Sequence, residues 1–219
     1  MTHSIYVFDA YGTLFDVHAA VRKHADAIGP DAAQLSEIWR QKQLEYSWVR
    51  GLMGKYVDFW SLTEQALDYA FAKTPSADIA ARGDLLKAYE TLEAYPEVAS
   101  VLKSLKDSGA QTAILSNGAP NMLQSAVSSA GIADLVDAVL SVDDIRVFKT
   151  DQRTYDMVTN SFRVFPEAVS FQSSNRWDIA GATQFGFRTV WINRTNQPDE
   201  YTDMAPAAVL GSLEGLPAM

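Results

Sequence analysis

The sequence predicts an α/β protein, a Rossmann-like parallel sheet core with an inserted helical cap domain. Three observations lead there. A buried-strand run, Ile5-Tyr6-Val7-Phe8, opens the chain and ends on an acid, Asp9. From about residue 15 to residue 92 the apolar spacing is helical, four segments in succession. From Pro96 onward helix and strand alternate, as in a parallel sheet covered on both faces. Residues 1–14 and 93–219 are therefore expected to form the core domain, and residues 15–92 the helical cap.

Each element has a local reason. Gly12 follows Asp9 by three positions, so the chain leaves the sheet there and presents the carboxylate at its edge. Such a carboxylate is a nucleophile, a metal ligand or a turn cap. Asp16 can cap a helix carrying Val17, Val21 and Ile28 that ends near Gly29-Pro30. A second helix, near 33–50, has Leu35, Ile38, Trp39, Tyr46 and Val49 and stops at Gly51; a third, about 57–72, carries Val57, Trp60, Leu67 and Ala70. The fourth runs from Ser76 towards Leu92, weakened by Gly83.

Val98, Val101, Leu102 and Leu105 mark the next helix, ending at Ser108-Gly109, and strand 111–115 follows, ending in Ser116-Asn117-Gly118. Helix 119–130, a short strand 138–141, helix 151–162 and strand 168–172 come next. Ser173 to Asp178 lead into helix 178–185, and strands 188–193 and 207–210 close the alternation. Residues 193–203 and the last few read as loose surface.

Composition removes several functions. The 219 residues suffice for one large domain, or one domain with an insertion, and 47% hydrophobic with 21% charged residues is an ordinary globular balance. A net charge of −9 argues against nucleic acid as a partner, because no cationic excess exists to displace counterions. With no cysteine there is no disulfide, thiolate metal site or cysteine nucleophile. No signal-like start and no apolar run of membrane length are seen, so no membrane partner and a cytoplasmic location are expected.

In an open parallel sheet, ligands bind beyond the carboxyl ends of the strands. Asp9, the pair Ser116-Asn117 and the cluster Ser173 to Asp178 each follow a strand, and Lys149 falls on the same rim by chain order. Each also has a plain structural reading. The acids and Ser116-Asn117 can cap turns or helices, Lys149 and Arg40 can be solvated surface, and Phe59 and Trp177 can be core.

The stretch Asp9-Ala-Tyr-Gly-Thr-Leu resembles the first motif of the haloacid dehalogenase superfamily, and residues 5 to about 194 resemble the L-2-haloacid dehalogenases. Phosphatases of that superfamily carry a second acid where this chain has Tyr11. The resemblance implies hydrolytic dehalogenation of short 2-haloalkanoates, haloacetates and fluoroacetate among the candidates, through an ester on Asp9 and with inversion at C2. Lys149 would neutralise the meeting of two anions, a repulsion of about 4 kcal/mol at 4 Å and an effective dielectric of 20.

In the same resemblance Ser116 holds the substrate carboxylate, while Asn117 and Arg40 face the halide. Asp178, with Asn175 and Ser173, serves the water that hydrolyses the ester, and Thr13 and Tyr155 support nucleophile and substrate. Tyr11, Gln41, Leu44, Phe59 and Trp177 form the substrate pocket, with Arg40, Gln41 and Leu44 taken to share one helical face. A homodimer is implied, with no cofactor and no metal, since Ser173-Ser174-Asn175 offers no acid beside Asp178. The alternatives are a magnesium-dependent small-molecule phosphatase of the same superfamily and a protein that only binds an anion. Two departures from the family pattern stand out. Thr150 replaces a common proline, implying a looser Lys149 loop, and Arg176 replaces a small residue, implying a side chain in solvent or added charge at the site.

Overall fold

The computed structural model describes residues 4–218. The chain opens with β1 (Ile5–Phe8), followed by five helices: α1 (Ala19–Lys23), α2 (Ala25–Ile28), α3 (Ala32–Met53), α4 (Phe59–Lys73) and α5 (Arg82–Glu90). Then come α6 (Val98–Asp107), β2 (Gln111–Ser116), α7 (Pro120–Ser129), β3 (Ala138–Ser141), α8 (Gln152–Phe162), β4 (Val169–Ser173), α9 (Arg176–Phe185), β5 (Arg188–Ile192) and β6 (Ala208–Leu210). The strands form one sheet in the order β3-β2-β1-β4-β5-β6, and every pairing is parallel.

This order puts β1 between β2 and β4, and the winding reverses there. A crevice opens at such a reversal, beyond the carboxyl ends of the strands. Phe8 pairs with Ile114 and Gln172, so Asp9, Ser116 and Ser173 leave the sheet side by side. The Asp9 amide continues the ladder for one more bond, to the Gln172 carbonyl at 2.9 Å.

Several expectations shift. The helix foreseen from Asp16 breaks at His24 into α1 and α2, and Asp16 instead accepts from the His18 amide and from Arg22. Gly51 does not stop α3, which runs on to Met53 and ends on Gly54 in the left-handed region, φ 62°. The fourth helix starts only at Arg82, after a tight turn at Ile79–Ala81 capped by Asp78. The last helix begins at Arg176, so Asp178 stands in its first turn rather than before it.

The segment after β5 is exposed over most of its length, as expected of surface, but it is tied down at particular residues. Arg194 donates to the Thr13 carbonyl and pairs with Glu97 at 2.7 Å. Arg176 neither faces solvent nor adds charge to the site: it is buried beneath this segment, paired with Asp199 at 2.7 Å and donating to the Tyr201 and Met204 carbonyls. The chain end also packs down, through buried Leu213 and Leu216; Met219 lies outside the described residues.

The two passages between the sheet and the helices α1–α5 are bonded to each other. The Tyr95 amide donates to the Leu14 carbonyl and the Asp16 amide to that of Glu93. On one face of the sheet, Phe8, Leu14 and Ile114 belong to the same apolar cluster as Trp39, Phe59, Leu62 and Tyr89 from the inserted helices. The other face has its own cluster, built on Val7, Leu115, Tyr155 and Phe171.

Candidate active site

Asp9 directly follows β1 and is only 5% exposed, so its carboxylate depends on protein donors. Its two oxygens are treated unequally. Oδ2 accepts from Thr13 Oγ1 at 3.0 Å, Asn175 Nδ2 at 2.7 Å and Ser173 Oγ at 3.3 Å. Oδ1 accepts only from Lys149 Nζ, at 3.2 Å, among the described residues.

Lys149 is 1% exposed and its amine lies between two carboxylates, bonding Asp178 Oδ2 at 2.7 Å as well as Asp9. The Phe171 ring lies beneath it, 5.2 Å from the amine. Burial works against the charge, but Asp178 and Asp9 more than offset it and hold the ammonium above the usual lysine range. Asn117 Oδ1 fixes the loop by accepting the Lys149 amide at 2.9 Å. That contact spends the oxygen of Asn117 on the lysine loop and leaves its Nδ2 side for a ligand.

Asp178 is fully buried, and burial pushes its carboxyl up to about 6 although Lys149 and a hydrogen bond from Tyr155 oppose the rise. Tyr155, from α8, donates to Asp178 Oδ1 at 2.9 Å; it supports this acid and makes no bond to Asp9. A glycine is needed beside it, because a Cβ on Gly181 would come within 2.4 Å of the Tyr155 hydroxyl and 2.9 Å of Thr150 Cβ.

Arg40 reaches over from α3 and donates to the Tyr11 carbonyl at 3.2 Å and to Asn175 Oδ1 at 3.4 Å. The Tyr11 ring stacks with Phe59 and with Tyr89, at centroid distances of 6.5 and 5.8 Å. Ser116 is buried and uses its hydroxyl to accept the Gly118 amide at 3.1 Å. Thr13, Ser173, Asn175, Lys149, Asp178 and Tyr155 thus form one connected polar network on Asp9, with Arg40, Asn117 and Ser116 at its border.

One expected pocket residue stands apart. Gln41 is exposed and makes no side-chain hydrogen bond among the described residues, because adjacent residues of a helix diverge by about 100° and only Arg40 faces the sheet. The single helical face proposed for Arg40, Gln41 and Leu44 therefore does not hold; Leu44 is half-buried. Trp177 is half-buried too, edge-on to Trp48 at 5.5 Å. It lines a cavity of about 610 Å³ between α3 and α9, with Phe148, Lys149, Tyr201 and Met204.

A model of the haloacid dehalogenase-like hydrolases matches residues 3–186. (S)-2-haloacid dehalogenase 1 of Pseudomonas sp. (strain CBS-3) is 49% identical over 97% of this chain and 94% of its own length. The chain belongs to the L-2-haloacid dehalogenase family. A dehalogenase crystal structure covering all of this chain and 97% of its own superposes with a TM-score of 0.96 at 44% identity. The L-2-haloacid dehalogenase of Xanthobacter autotrophicus, solved with chloropropionic acid covalently bound, superposes with a TM-score of 0.87 at 38% identity, over 99% of this chain and 98% of that one.

For this member of the dehalogenase family, sequence reasoning missed Gln43 and Tyr89. Both are buried: the Tyr89 hydroxyl donates to Gln43 Oε1 at 3.3 Å, and Gln43 donates to Thr63 at 3.1 Å. A polar glutamine inside an otherwise apolar helical stripe was the available signal. Tyr89 had none, since it lies in the segment that Gly83 made hard to read.

Proposed function

We propose that this chain is an (S)-2-haloacid dehalogenase that hydrolyses short 2-haloalkanoates to 2-hydroxyalkanoates and halide through an ester on Asp9. The observation that carries the reading is the asymmetry of the Asp9 carboxylate. Oδ1, with Lys149 as its one donor among the described residues, keeps lone pairs for attack, whereas Oδ2 is held by three donors. An Oδ1 lone pair forms the bond to C2 while the halide departs with the electron pair of its own bond, which inverts C2. Lys149 offsets the repulsion between nucleophile and substrate carboxylate, and Arg40 stands on the halide side. The substrate carboxylate takes the loop after β2, near Ser116 and the start of α7.

The same asymmetry serves the second step. Once Oδ1 is esterified, Oδ2 is the ester carbonyl, and Thr13, Ser173 and Asn175 already point their donors at it. As water adds to that carbon, negative charge develops on Oδ2, where preorganised donors stabilise it. Asp178, with its carboxyl raised towards neutrality, takes the water's proton. Hydrolysis breaks the bond between the Asp9 carbon and Oδ1, the departing alkoxide takes the proton that Asp178 received from the water, and C2 keeps its inverted configuration. Residues 15–92 act as a cap that carries Arg40 and Phe59 over the nucleophile.

A magnesium phosphatase is disfavoured by the donor set. The place between Asp9 and Asp178 is taken by the Lys149 ammonium, and among the described residues no group of three or more His, Asp or Glu side chains could hold a metal. The test is halide release from chloro-, bromo- and fluoroacetate and both 2-chloropropionate enantiomers, with Asp9→Ala and a chelator as controls. Chloride from the S enantiomer, indifferent to chelator and absent in Asp9→Ala, is the expected result. Chelator-sensitive phosphate release without halide would replace this reading by the phosphatase.

A further inference from the structure

We infer that the Tyr11 hydroxyl is a catalytic hydrogen-bond donor that holds the departing halide together with Arg40. This rests on the dehalogenase reading above. Tyr11 is 4% exposed, and its hydroxyl has no partner among the described residues although every neighbouring polar side chain on the nucleophile is bonded. A buried hydroxyl left unbonded is unfavourable, so its position is explained when a ligand supplies the acceptor.

The ring cannot turn away to find another partner. Phe59 and Tyr89 both stack on it, Phe15 meets it at 6.2 Å, and one edge abuts Gly118 so closely that a Cβ there would lie 2.7 Å from Tyr11 Cε2. Gly118 adjoins Asn117, so the ring edge meets the turn that follows β2. The Arg40 charge reaches the phenol as well. Burial pushes the phenol well up, with Arg40 pulling it back, so it stays protonated as a donor. In the displacement step the carbon–halogen electron pair leaves with the halide. The hydroxyl keeps its proton and lends a hydrogen bond that strengthens as charge grows on the leaving atom.

The test is Tyr11→Phe, which keeps the stacked ring and removes the orphaned oxygen. Single-turnover ester formation from 2-chloropropionate is expected to fall about tenfold or more, and from 2-iodopropionate by less than about threefold, since iodide is the weaker acceptor. The melting temperature is expected to stay level or rise, because no protein partner is lost. Wild-type crystals soaked in bromide provide a readout independent of the variant, with bromide expected within hydrogen-bonding distance of both the Tyr11 hydroxyl and Arg40.

Equal rates in Tyr11→Phe would overturn the inference. A loss equal for all halogens with raised KM would assign the hydroxyl to the substrate carboxylate instead, and bromide bound elsewhere or nowhere would also count against it. Wild-type protein that releases no halide would overturn the dehalogenase reading itself, whereas an active wild type with an indifferent variant overturns this assignment alone.

Discussion

Asp178 carries the clearest pH signature of any single residue. Folding raises its carboxyl from an ordinary 3.8 to about 6, so the stabilising proton uptake is complete below about pH 4 and is lost as pH rises through about 6. In the proposed mechanism the rate runs the other way, because the base must be ionised. Ester hydrolysis should therefore fall on acidification with an apparent pKa near 6. Asp178→Asn should slow that step by about 10²–10⁴ and let the Asp9 ester accumulate, which mass spectrometry of the Asp9 peptide reads directly. The melting temperature of wild type relative to Asp178→Asn should decline between pH 4 and pH 7. A variant that turns over at the wild-type rate would remove Asp178 from the mechanism.

Among the elements, α9 does most to assemble the site, because its start presents Asn175 to the nucleophile and its first turn carries Asp178. The helix approaches α8 closely enough that Gly181 and Tyr155 leave no room for a methyl group. Gly181→Ala should displace Tyr155, cost about 1–3 kcal/mol through overpacking, and slow ester hydrolysis more than ester formation. Equal slowing of both steps would separate Tyr155 from Asp178. Much of this element was legible beforehand, since Ser173, Asn175 and Asp178 follow an apolar strand in a parallel sheet. Its true start at Arg176 was not, because a cation in a helix's first turn is unfavourable unless something answers it. Asp199 and two carbonyls do, from a segment more than twenty residues away that local pattern cannot connect. Gln41 was misplaced because a resemblance gives neighbours in sequence, not the face a helix turns inward.

Over the whole molecule, the strand order was readable in kind, as alternation predicts a parallel sheet, but the reversal at β1 appears only when the strands pair. The inserted helices do not form an independent core. Their apolar residues join the cluster on one face of the sheet, and Tyr56 ties the α3–α4 connection to the core by donating to Asp143 at 2.7 Å and stacking on Phe148 at 4.8 Å. Asp9 is thus enclosed by sheet and helices together, and in the proposed mechanism Lys149 offsets the charge that direct attack on carbon brings together. Single turnover of 2-chloropropionate in heavy-oxygen water tests the central claim most directly, by mass analysis of both the Asp9 peptide and the released hydroxy acid. The account predicts label in the Asp9 carboxylate and unlabelled product; label in the product with none in Asp9 would contradict it.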